Sequence, residues 1–578
     1  IRIDSTIMKN TAKEPQQPVK GAEIVIKTLE KLGVETIFAY PGGQSIELHQ
    51  ALGKSNLRVI LPRHEQGGAF AADGFARVSG KTGVCMATSG PGATNLITGI
   101  ADAYMDSIPV VFITGQVGAQ FIGKNAFQET DIIGVTRPVV KHSYLVLNVD
   151  DIPRIICEAF KLASEGRPGP VVVDIPKNVQ QAMAVPVFPE EVKVKSLSAG
   201  LHVNQSDIEA IRKAIKKAQR PCIYAGGGII SSGASEELRE FAHSYNIPVT
   251  TTLMGLGSFP EEDPLSLRWL GMHGTYYANY AANECDLLIA LGARFDDRVT
   301  GPVATFAQDA YIIHVDIDIS EINKNKRADL GVIADVKEVL AELNKKPLRK
   351  DYTEWLNQIA QWKQEHPFSY IKSKPHTPPQ PQFVIEKLYE LTHGDAIIVP
   401  GVGQHQMWSA QFYKFKNPRQ FLTSGGLGSM GFGLPAAMGA KVACPEKTVI
   451  NIDGDGSFQM NIQELGTLYA EGIDVKMIIL NNQHLGMVAQ WEDRFYGSRH
   501  CNTILEDKDK QYYPDFVTIA GGYKIPGRVI CEREEVEDAI REMLAAKGPF
   551  LIDCHTGYQE HVLPMIAPGK CYKDIILK

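Results

Sequence analysis

The stretch TVINIDGDGSF, residues 448–458, contains the pattern from which the class of fold can be predicted. It begins as a β-branched apolar run and ends in GDGS, where carboxylates and glycines replace the apolar side chains. The stretch VKMIILNN, residues 475–482, is likewise a mostly apolar run that ends in polar residues, here two asparagines. Short apolar runs that end in such residues and alternate with helical stretches predict parallel strands joined by crossover helices. Because the carboxyl ends of parallel strands meet at one edge of a sheet, we expect Asp455 and Asn482 in the same crevice.

The same rhythm occupies most of the 578 residues. Apolar runs such as VVFITG, CDLLIALGARF and AIIVPGVG each end in small or polar residues, and a chain of this length holds several domains of ~100–200 residues. The prediction is an α/β protein with three doubly wound parallel-sheet domains, at residues 18–183, 200–345 and 380–566. The proline-punctuated stretch PVFPEEVKVKSLSAGLHVN is predicted to be a linker, and a charged, proline-rich stretch from Lys345 to Pro381 separates the second and third domains.

The composition excludes several classes of function. Hydrophobic residues make up 44% of the chain and charged residues 22%, which is ordinary for a globular protein. The net charge of -7 and the lack of a basic block in the sequence argue against a positively charged surface that would bind nucleic acid or an anionic membrane. The nine cysteines form no CxxC pair, and no apolar run approaches a membrane span of ~20 residues. These features predict a reducing, soluble compartment: the cytoplasm, or an organellar stroma or matrix in a eukaryote.

The two strand ends carry groups suited to a metal and a phosphate. The oxygens of Asp455 and Asn482 are hard ligands of the kind that Mg²⁺ takes together with diphosphate and water. The glycines of GDGS allow a tight turn in which main-chain amides approach phosphate. Taken singly, GDG is more often a plain turn and NN a strand end. The combination, 27 positions apart on matching strand ends, favours a binding site.

This arrangement resembles the diphosphate-anchoring motif of thiamine diphosphate enzymes, in which GDG is followed at a similar distance by NN. The resemblance implies that the metal is held by the side chains of Asp455 and Asn482 and by the main-chain oxygen of His484. In the stretch GGLGSMGFGLPAA, Met430 matches the residue that props the cofactor in its bent form. The cofactor contacts implied by the family are Val402, Gly403, Gln404, His405, Gly428, Met430, Gly456 and Ser457.

The stretch RHEQGGAFAADGFAR, residues 63–77, places Glu65 where this family has its activating glutamate. A carboxyl group on the aminopyrimidine ring favours the imino tautomer, whose nitrogen removes the thiazolium proton. For an isolated RHE sequence, a solvated glutamate paired with Arg63 would be the better interpretation. The resemblance also implies Gly43 and Gln128 as catalytic residues. In the family the glutamate domain of one subunit faces the diphosphate domain of another, which implies a homodimer or a dimer of dimers, with a small regulatory subunit as a further partner.

The remaining stretches resemble acetohydroxyacid synthases, almost continuously from about residue 20 to 566. Among them are LGMHGTYYAN at 270–279, LGARFDDRVTG at 291–301, AFQETDI and GMVAQWE. The resemblance implies decarboxylation of pyruvate and transfer of the two-carbon fragment to pyruvate or 2-ketobutyrate, the first common step of branched-chain amino-acid synthesis. Gln44 and Pro568 depart from relatives that carry small residues there, which leaves the shape of the channel to the cofactor open.

Roles for residues outside the cofactor motif also follow from this resemblance. Arg298 is expected to bind the carboxylate of the second keto acid, although a surface ion pair with Asp296 or Asp297 is an alternative. Trp491 is expected to narrow the acceptor pocket in favour of 2-ketobutyrate, with core packing as its alternative. A structural FAD is implied by the middle segment. Its expected contacts are Arg167, Gly226, Gly227, Gly228, Met272, His273, Gly274, Arg294, Asp296 and Asp316.

Three other functions compete with this interpretation. A pyruvate oxidase would share thiamine diphosphate, metal and FAD, but the RFDDR stretch and Trp491 argue against it. Glyoxylate carboligase lacks the activating glutamate that Glu65 provides here. An inactive scaffold subunit is disfavoured because Glu65, Asp455, Asn482 and Met430 are all retained.

Overall fold

The computed structural model describes residues 17–194, 202–506 and 513–578. These residues divide into two compact units. The first comprises the described residues up to Ala72, Thr82–Glu165 and Gly169 to residue 194; the second comprises Asp73–Lys81, Gly166–Pro168 and the described residues from 202 onward. Residues 195–201 of the predicted linker lie outside the described residues.

The first unit is built on a parallel sheet of six strands in the order β3-β2-β4-β5-β7-β6, with β1 and β8 forming a separate antiparallel pair. Every residue of β4, β5 and β7 is buried, which explains why these strands are continuous apolar runs rather than alternating ones. The strands are β1 Val19–Lys20, β2 Thr36–Ala39, β3 Arg58–Ile60, β4 Gly83–Ala87, β5 Val110–Gln116, β6 His142–Leu145, β7 Val171–Pro176 and β8 Met183–Ala184. The helices are α1 Gly21–Lys31, α2 Ile46–Leu52, α3 Glu65–Ser79, α4 Pro91–Thr94, α5 Ile97–Asp106, α6 Ile132–Thr136, α7 Ile152–Ser164 and α8 Lys177–Gln181.

The second unit contains two parallel sheets, of which the one earlier in sequence has the order β11-β10-β9-β12-β13-β14. The strands are β9 Pro221–Ala225, β10 Val249–Thr251, β11 Ser266–Trp269, β12 Leu287–Leu291, β13 Tyr311–Asp316 and β14 Leu330–Ile333. The helices are α9 Gln205–Lys217, α10 Gly227–Ser231, α11 Ser235–Tyr245, α12 Tyr276–Glu284, α13 Asp297–Thr300, α14 Val336–Asn344 and α15 Thr353–Glu365. Helix α15 lies inside the charged, proline-rich stretch and joins this core because it buries Trp355 and Trp362 there.

The other sheet of this unit has the order β15-β16-β17-β19-β18, and all its strands are parallel. The strands β15, β16 and β17 are neighbours, so the turns that follow them share one edge. The strands are β15 Ile397–Pro400, β16 Val449–Gly454, β17 Val475–Asn481, β18 Gly527–Ile530 and β19 Phe550–His555. The helices are α16 Pro381–Thr392, α17 Gln404–Phe412, α18 Gly433–Ala443, α19 Asp455–Phe458, α20 Leu465–Glu471, α21 Gly486–Phe495, α22 Phe516–Gly522 and α23 Val536–Ala545.

The predicted fold class is confirmed, because three parallel sheets with crossover helices account for the sequence rhythm. The exact domain boundaries stay predictions. All nine cysteines are free thiols, in agreement with the absence of paired spacing. Among the helices that the structure describes, none combines the length and apolar character needed to cross a membrane.

Candidate active site

The predicted metal ligands meet at the carboxyl edge of the third sheet. Asp455 follows β16 and Asn482 follows β17, which pair side by side. The N–H of Asn482 donates to Oδ1 of Asp455 at 3.3 Å, and the N–H of His484 donates to Oδ1 of Asn482 at 3.1 Å. The structure therefore brings these three residues together, while their role as ligands stays a prediction.

The turn between these residues is fixed in an uncommon backbone conformation. Gln483 has a φ of +56°, a left-handed value that residues with a side chain adopt infrequently. The side-chain oxygen of Asn481 accepts hydrogen bonds from the N–H of Gln483 at 3.3 Å and from its Nε2 at 2.7 Å. The Nδ2 of Asn481 donates to Oδ1 of Asp553 on β19 at 2.9 Å. This network sets the direction in which Asn482 leaves the strand.

Asp455 is a buried carboxyl group in a negative environment, with only 1% of its surface exposed. Burial, with a contribution from the charges of Asp553 and Asp453, raises the pKa of Asp455 to about 7. An ionised carboxylate in such a place requires a compensating cation. The oxygens gathered here are hard ligands, so the residues present fit a divalent metal such as Mg²⁺.

The predicted phosphate loop precedes helix α17, which begins at the same edge of the sheet. Gly403 has a φ of +155°, and a Cβ at this position would lie 2.8 Å from Cε1 of His405. Only glycine is accommodated in such a conformation. The loop thus brings the start of a helix to the crevice. The first N–H groups of a helix have no partner within the helix and can bind an anion. This geometry fits the predicted contacts from Val402 to His405.

Gln404 links the phosphate loop to the metal turn. Its Oε1 accepts a hydrogen bond from Nδ2 of Asn482 at 3.2 Å. Its Nε2 donates to Oε1 of Gln490 at 3.0 Å and to the main-chain oxygen of Glu560 at 2.9 Å. The buried amide of Gln404 therefore has protein partners on both sides, which indicates that it positions the two loops.

Met430 lies over the glycine turn of the third sheet. A Cβ on Gly456 would be 3.7 Å from Cε of Met430, and the N–H of Gly431 donates to Oγ of Ser457 at 3.0 Å. Gly428 is exposed nearby in sequence, with a φ of +74°. Met430, Gly456 and Ser457 thus lie close together, and their contacts with the cofactor stay predictions.

In the first unit, Glu65 and Gln128 both lie against the segment of residues 90–95. Glu65 is the first residue of α3, and its Oε2 accepts a hydrogen bond from Nδ2 of Asn95 at 3.0 Å. Gly90 lies in the same segment, and a Cβ there would be 2.8 Å from the main-chain oxygen of Gln128. Gly43 is exposed in the turn before α2, with open space beside its Cα.

Most of the predicted FAD contacts follow three neighbouring strands of the second sheet. Gly226–Gly228 follow β9, Arg294 and Asp296 follow β12, and Asp316 ends β13. Burial raises the pKa of Asp316 to about 6. The Oγ1 atoms of Thr251 and Thr252, at the end of the adjacent β10, are buried without a hydrogen-bond partner in the described part of the chain. Unpartnered buried hydroxyls at this edge fit a polar ligand.

The glycines of this edge also have a packing role that the sequence did not reveal. A Cβ on Gly226 would lie 2.0 Å from the main-chain oxygen of Gly292, and a Cβ on Gly228 would lie 2.7 Å from the Cα of Gly292. Close packing of two turns therefore requires both glycines, whether or not a ligand binds beside them.

The remaining predicted FAD contacts lie in two hydrogen-bonded groups. Arg167 donates to Oδ2 of Asp318 at 3.1 Å and to Oε1 of Glu321 at 2.5 Å. The N–H of Met272 donates to the main-chain oxygen of Arg298 at 2.8 Å. His273, which precedes Gly274, is buried, and burial lowers the pKa of its imidazole to about 4.

The two predicted acceptor residues lie on different elements. Arg298 is exposed on α13, with Nη1 3.8 Å from Oδ2 of Asp297, so the predicted alternative of a surface ion pair is present as a long, weak contact. A cleft of about 380 Å³ is lined by Arg298, Met272 and Pro568, among others. Trp491 is half-buried on α21, with its ring 5.7 Å from that of Phe495.

Several residues of the site were not assigned a role from the sequence. Asn481 is the first asparagine of NN, and Asp553 stands in the apolar strand FLIDCH, so a polar residue in a buried strand was the available signal. Asn95 and Gln490 lie within or after helices and leave no such pattern.

The chain belongs to the thiamine pyrophosphate enzymes, a class named after the molecule that is also called thiamine diphosphate. Family models of these enzymes match in chain order: the N-terminal TPP binding domain at residues 19–135, the central domain at 208–343 and the C-terminal TPP binding domain at 401–554.

Two relatives identify the enzyme family within this class. Acetolactate synthase 1, chloroplastic, of Zea mays is 54% identical over 576 residues, covering 97% of this chain and 89% of that protein. Acetolactate synthase, chloroplastic, of Arabidopsis thaliana is 52% identical over 573 residues, covering 97% and 85%. The chain therefore belongs to the acetolactate synthase family of thiamine pyrophosphate enzymes. The resemblance to acetohydroxyacid synthases is confirmed, since the two names describe the same activity.

Proposed function

We propose that this chain decarboxylates pyruvate and joins the two-carbon fragment to a second 2-keto acid. With pyruvate as acceptor the product is 2-acetolactate, and with 2-ketobutyrate it is 2-aceto-2-hydroxybutyrate. The observation that carries the proposal is the similarity to acetolactate synthases over 97% of the chain. The crevice of Asp455, Asn482 and His484 on adjacent strand ends supports it.

Thiamine diphosphate, when bound, supplies the carbon nucleophile that attacks the keto group of pyruvate. The chain holds and activates it from two places. Glu65 shares a proton with the aminopyrimidine ring, and Gly43 and Gln128 complete the reacting surface. On the third sheet, the phosphate loop at residues 402–405, together with Gly456 and Ser457, would bind the diphosphate. Met430 would prop the cofactor in its bent conformation, and the main-chain oxygen of Gly428 would accept a hydrogen bond from its amino group. The ligands of Mg²⁺ would be Asp455, Asn482 and His484.

FAD is the third proposed ligand, bound at the carboxyl edge of the second sheet. The support is the grouping of Gly226–Gly228, Arg294, Asp296 and Asp316 on neighbouring strand ends beside the unpartnered hydroxyls of Thr251 and Thr252. Arg167 and Met272–Gly274 are the remaining proposed contacts. Because the acetolactate reaction involves no net redox change, the flavin has a structural role.

The acceptor keto acid is held by Arg298 and Trp491. Arg298 offers a fork of donors that matches a carboxylate, and its exposure beside the cleft leaves it accessible. Trp491 supplies an apolar wall that the extra methylene of 2-ketobutyrate can contact. The half-buried position of its ring supports this role over that of a core residue.

The proposed assembly is a homodimer or a dimer of dimers, with a small regulatory subunit as a further partner. The proposed location is a reducing aqueous compartment, an organellar stroma in the case of a plant protein, and the free thiols support it.

The test is a product assay on purified protein with Mg²⁺, thiamine diphosphate and FAD. We expect acetolactate from pyruvate alone, and mostly 2-aceto-2-hydroxybutyrate when 2-ketobutyrate is added. Oxygen uptake with acetate or acetyl phosphate as product would instead identify a pyruvate oxidase. A folded protein that binds thiamine diphosphate but forms neither product would be an inactive scaffold.

A further inference from the structure

The two carboxylate oxygens of Glu65 have different surroundings. Oε2 accepts a hydrogen bond from Nδ2 of Asn95 at 3.0 Å. Oε1 lies beside Gly92, where an added Cβ would be 3.3 Å away. Glycine therefore leaves room on the Oε1 side, while Oε2 has a donor from the protein.

Asn95 is well placed to fix this carboxylate. It follows the short helix α4, and its own N–H donates to the main-chain oxygen of Pro91 at 3.0 Å, which anchors its backbone. An ionised carboxylate only accepts hydrogen bonds, so the amide of Asn95 must present its NH₂ group to Glu65. A hydrogen bond to a charged acceptor is stronger than one between neutral groups.

Cys85, a titratable residue of strand β4, is close enough to be affected by the charge of Glu65 but does not compete with it for a proton. Cys85 on β4 is fully buried, and burial together with the charge of Glu65 raises the pKa of its thiol well above the usual range. It therefore stays protonated at neutral pH.

We propose that Asn95 is a positioning residue that holds Oε2 of Glu65 and so leaves Oε1, the oxygen beside Gly92, to bond the ring nitrogen of the cofactor. This inference rests on the proposed role of Glu65 as the activating carboxyl group. Loss of the Asn95 donor lets the carboxylate rotate away from the productive geometry, which slows proton removal from the cofactor without removing any group that binds it.

Two substitutions of Asn95 separate hydrogen bonding from packing. Asn95→Ala removes the donor and some packing volume. Asn95→Asp keeps the shape but replaces the donor by a second acceptor, which repels or shares a proton with Glu65. Thr94→Ala is the matched control, because Thr94 is the exposed neighbour whose Oγ1 donates locally to Pro91.

The measurement is hydrogen–deuterium exchange at C2 of bound thiamine diphosphate, followed by quenched-flow NMR, with cofactor affinity measured by calorimetry. We expect Asn95→Ala to exchange about tenfold to a hundredfold more slowly, the range expected for loss of a hydrogen bond to a charged group. Asn95→Asp is expected to be slower still, Thr94→Ala is expected to match the wild type, and cofactor affinity should change by less than about threefold in all three, since no binding group is lost.

Wild-type exchange in Asn95→Asp would overturn the inference, because it would show that shape alone matters. If the aspartate variant fails to bind cofactor, Asn95→Ala decides by itself, and a wild-type rate there overturns the inference. Glu65→Gln, measured in parallel, separates the two hypotheses. Slow exchange in Glu65→Gln with normal rates in both Asn95 variants refutes only the role of Asn95, whereas normal exchange in Glu65→Gln refutes the role of Glu65 and this inference with it.

Discussion

Replacing Asp455 by asparagine should stabilise the metal-free protein while it destroys metal binding. Burial raises the pKa of this carboxyl from 3.8 to about 7, and each pKa unit corresponds to about 1.4 kcal/mol. The ionised form therefore costs the folded protein about 4 kcal/mol at pH 8. Asparagine has the same shape, keeps an oxygen for the N–H of Asn482 and carries no charge, so much of this cost should disappear.

The sign of the pH dependence follows from the raised pKa. Between pH 4 and 7 the folded state of the wild type binds a proton that the unfolded state has released, so the contribution of Asp455 to stability falls as the pH rises through 7. The advantage of Asp455→Asn should therefore be largest at pH 8 and disappear below about pH 4. Binding of Mg²⁺ and cofactor at one hundred times their dissociation constant adds about 2.7 kcal/mol to the wild type. The variant should gain almost none of this.

Urea unfolding at pH 8 and pH 5, with and without Mg²⁺ and thiamine diphosphate, measures both effects. Asp538→Asn, on the exposed face of α23, is the matched control and should behave as the wild type. An Asp455→Asn protein that is less stable than the wild type without metal would refute the electrostatic reasoning. Equal stabilisation of both proteins by Mg²⁺ and cofactor would show that Asp455 is not a ligand.

Three further predictions concern the reaction. Glu65→Gln cannot exchange the proton, so turnover should fall by a factor of 10² or more at saturating cofactor; a steady-state assay with near-wild-type turnover would exclude this role. Trp491→Leu should lower the preference for 2-ketobutyrate by up to the ~10–200-fold that one methylene allows, measured as the product ratio in competition. Tyr469→Leu, at an exposed position of α20, is the control. Arg298→Ala should raise KM for both acceptors, and an equal effect of Asp297→Ala would show that only their ion pair matters.

The fold was predictable because its signals are local. Continuous apolar runs such as VVFITGQ predict strands buried on both faces, and the structure buries every residue of β5 and β7. The helix α15 was not predicted, because its flanks are charged and rich in proline. Burial of Trp355, Ile359 and Trp362 in the core of the second sheet stabilises it there.

The site was predictable to the extent that it consists of strand ends. Asp455 and Asn482 end or follow neighbouring apolar strands, and parallel pairing brings them within hydrogen-bonding distance through the main chain. Gln404, Gln490 and Asn95 lie on helices or turns, and their partners are 30 or more residues away. Such contacts leave no periodic pattern in the sequence.

The class of fold and the residue types at the strand ends follow from local patterns along the chain, and the family and the expected cofactors follow from resemblance. The way in which those residues are held is visible only in the folded chain. Examples are the left-handed Gln483 supported by Asn481 and Asp553, the raised pKa of Asp455, and the hydrogen bond from Asn95 to Glu65. Strand formation depends on local patterns of apolar residues, whereas burial, charge and hydrogen bonding depend on neighbours that only the folded chain brings together.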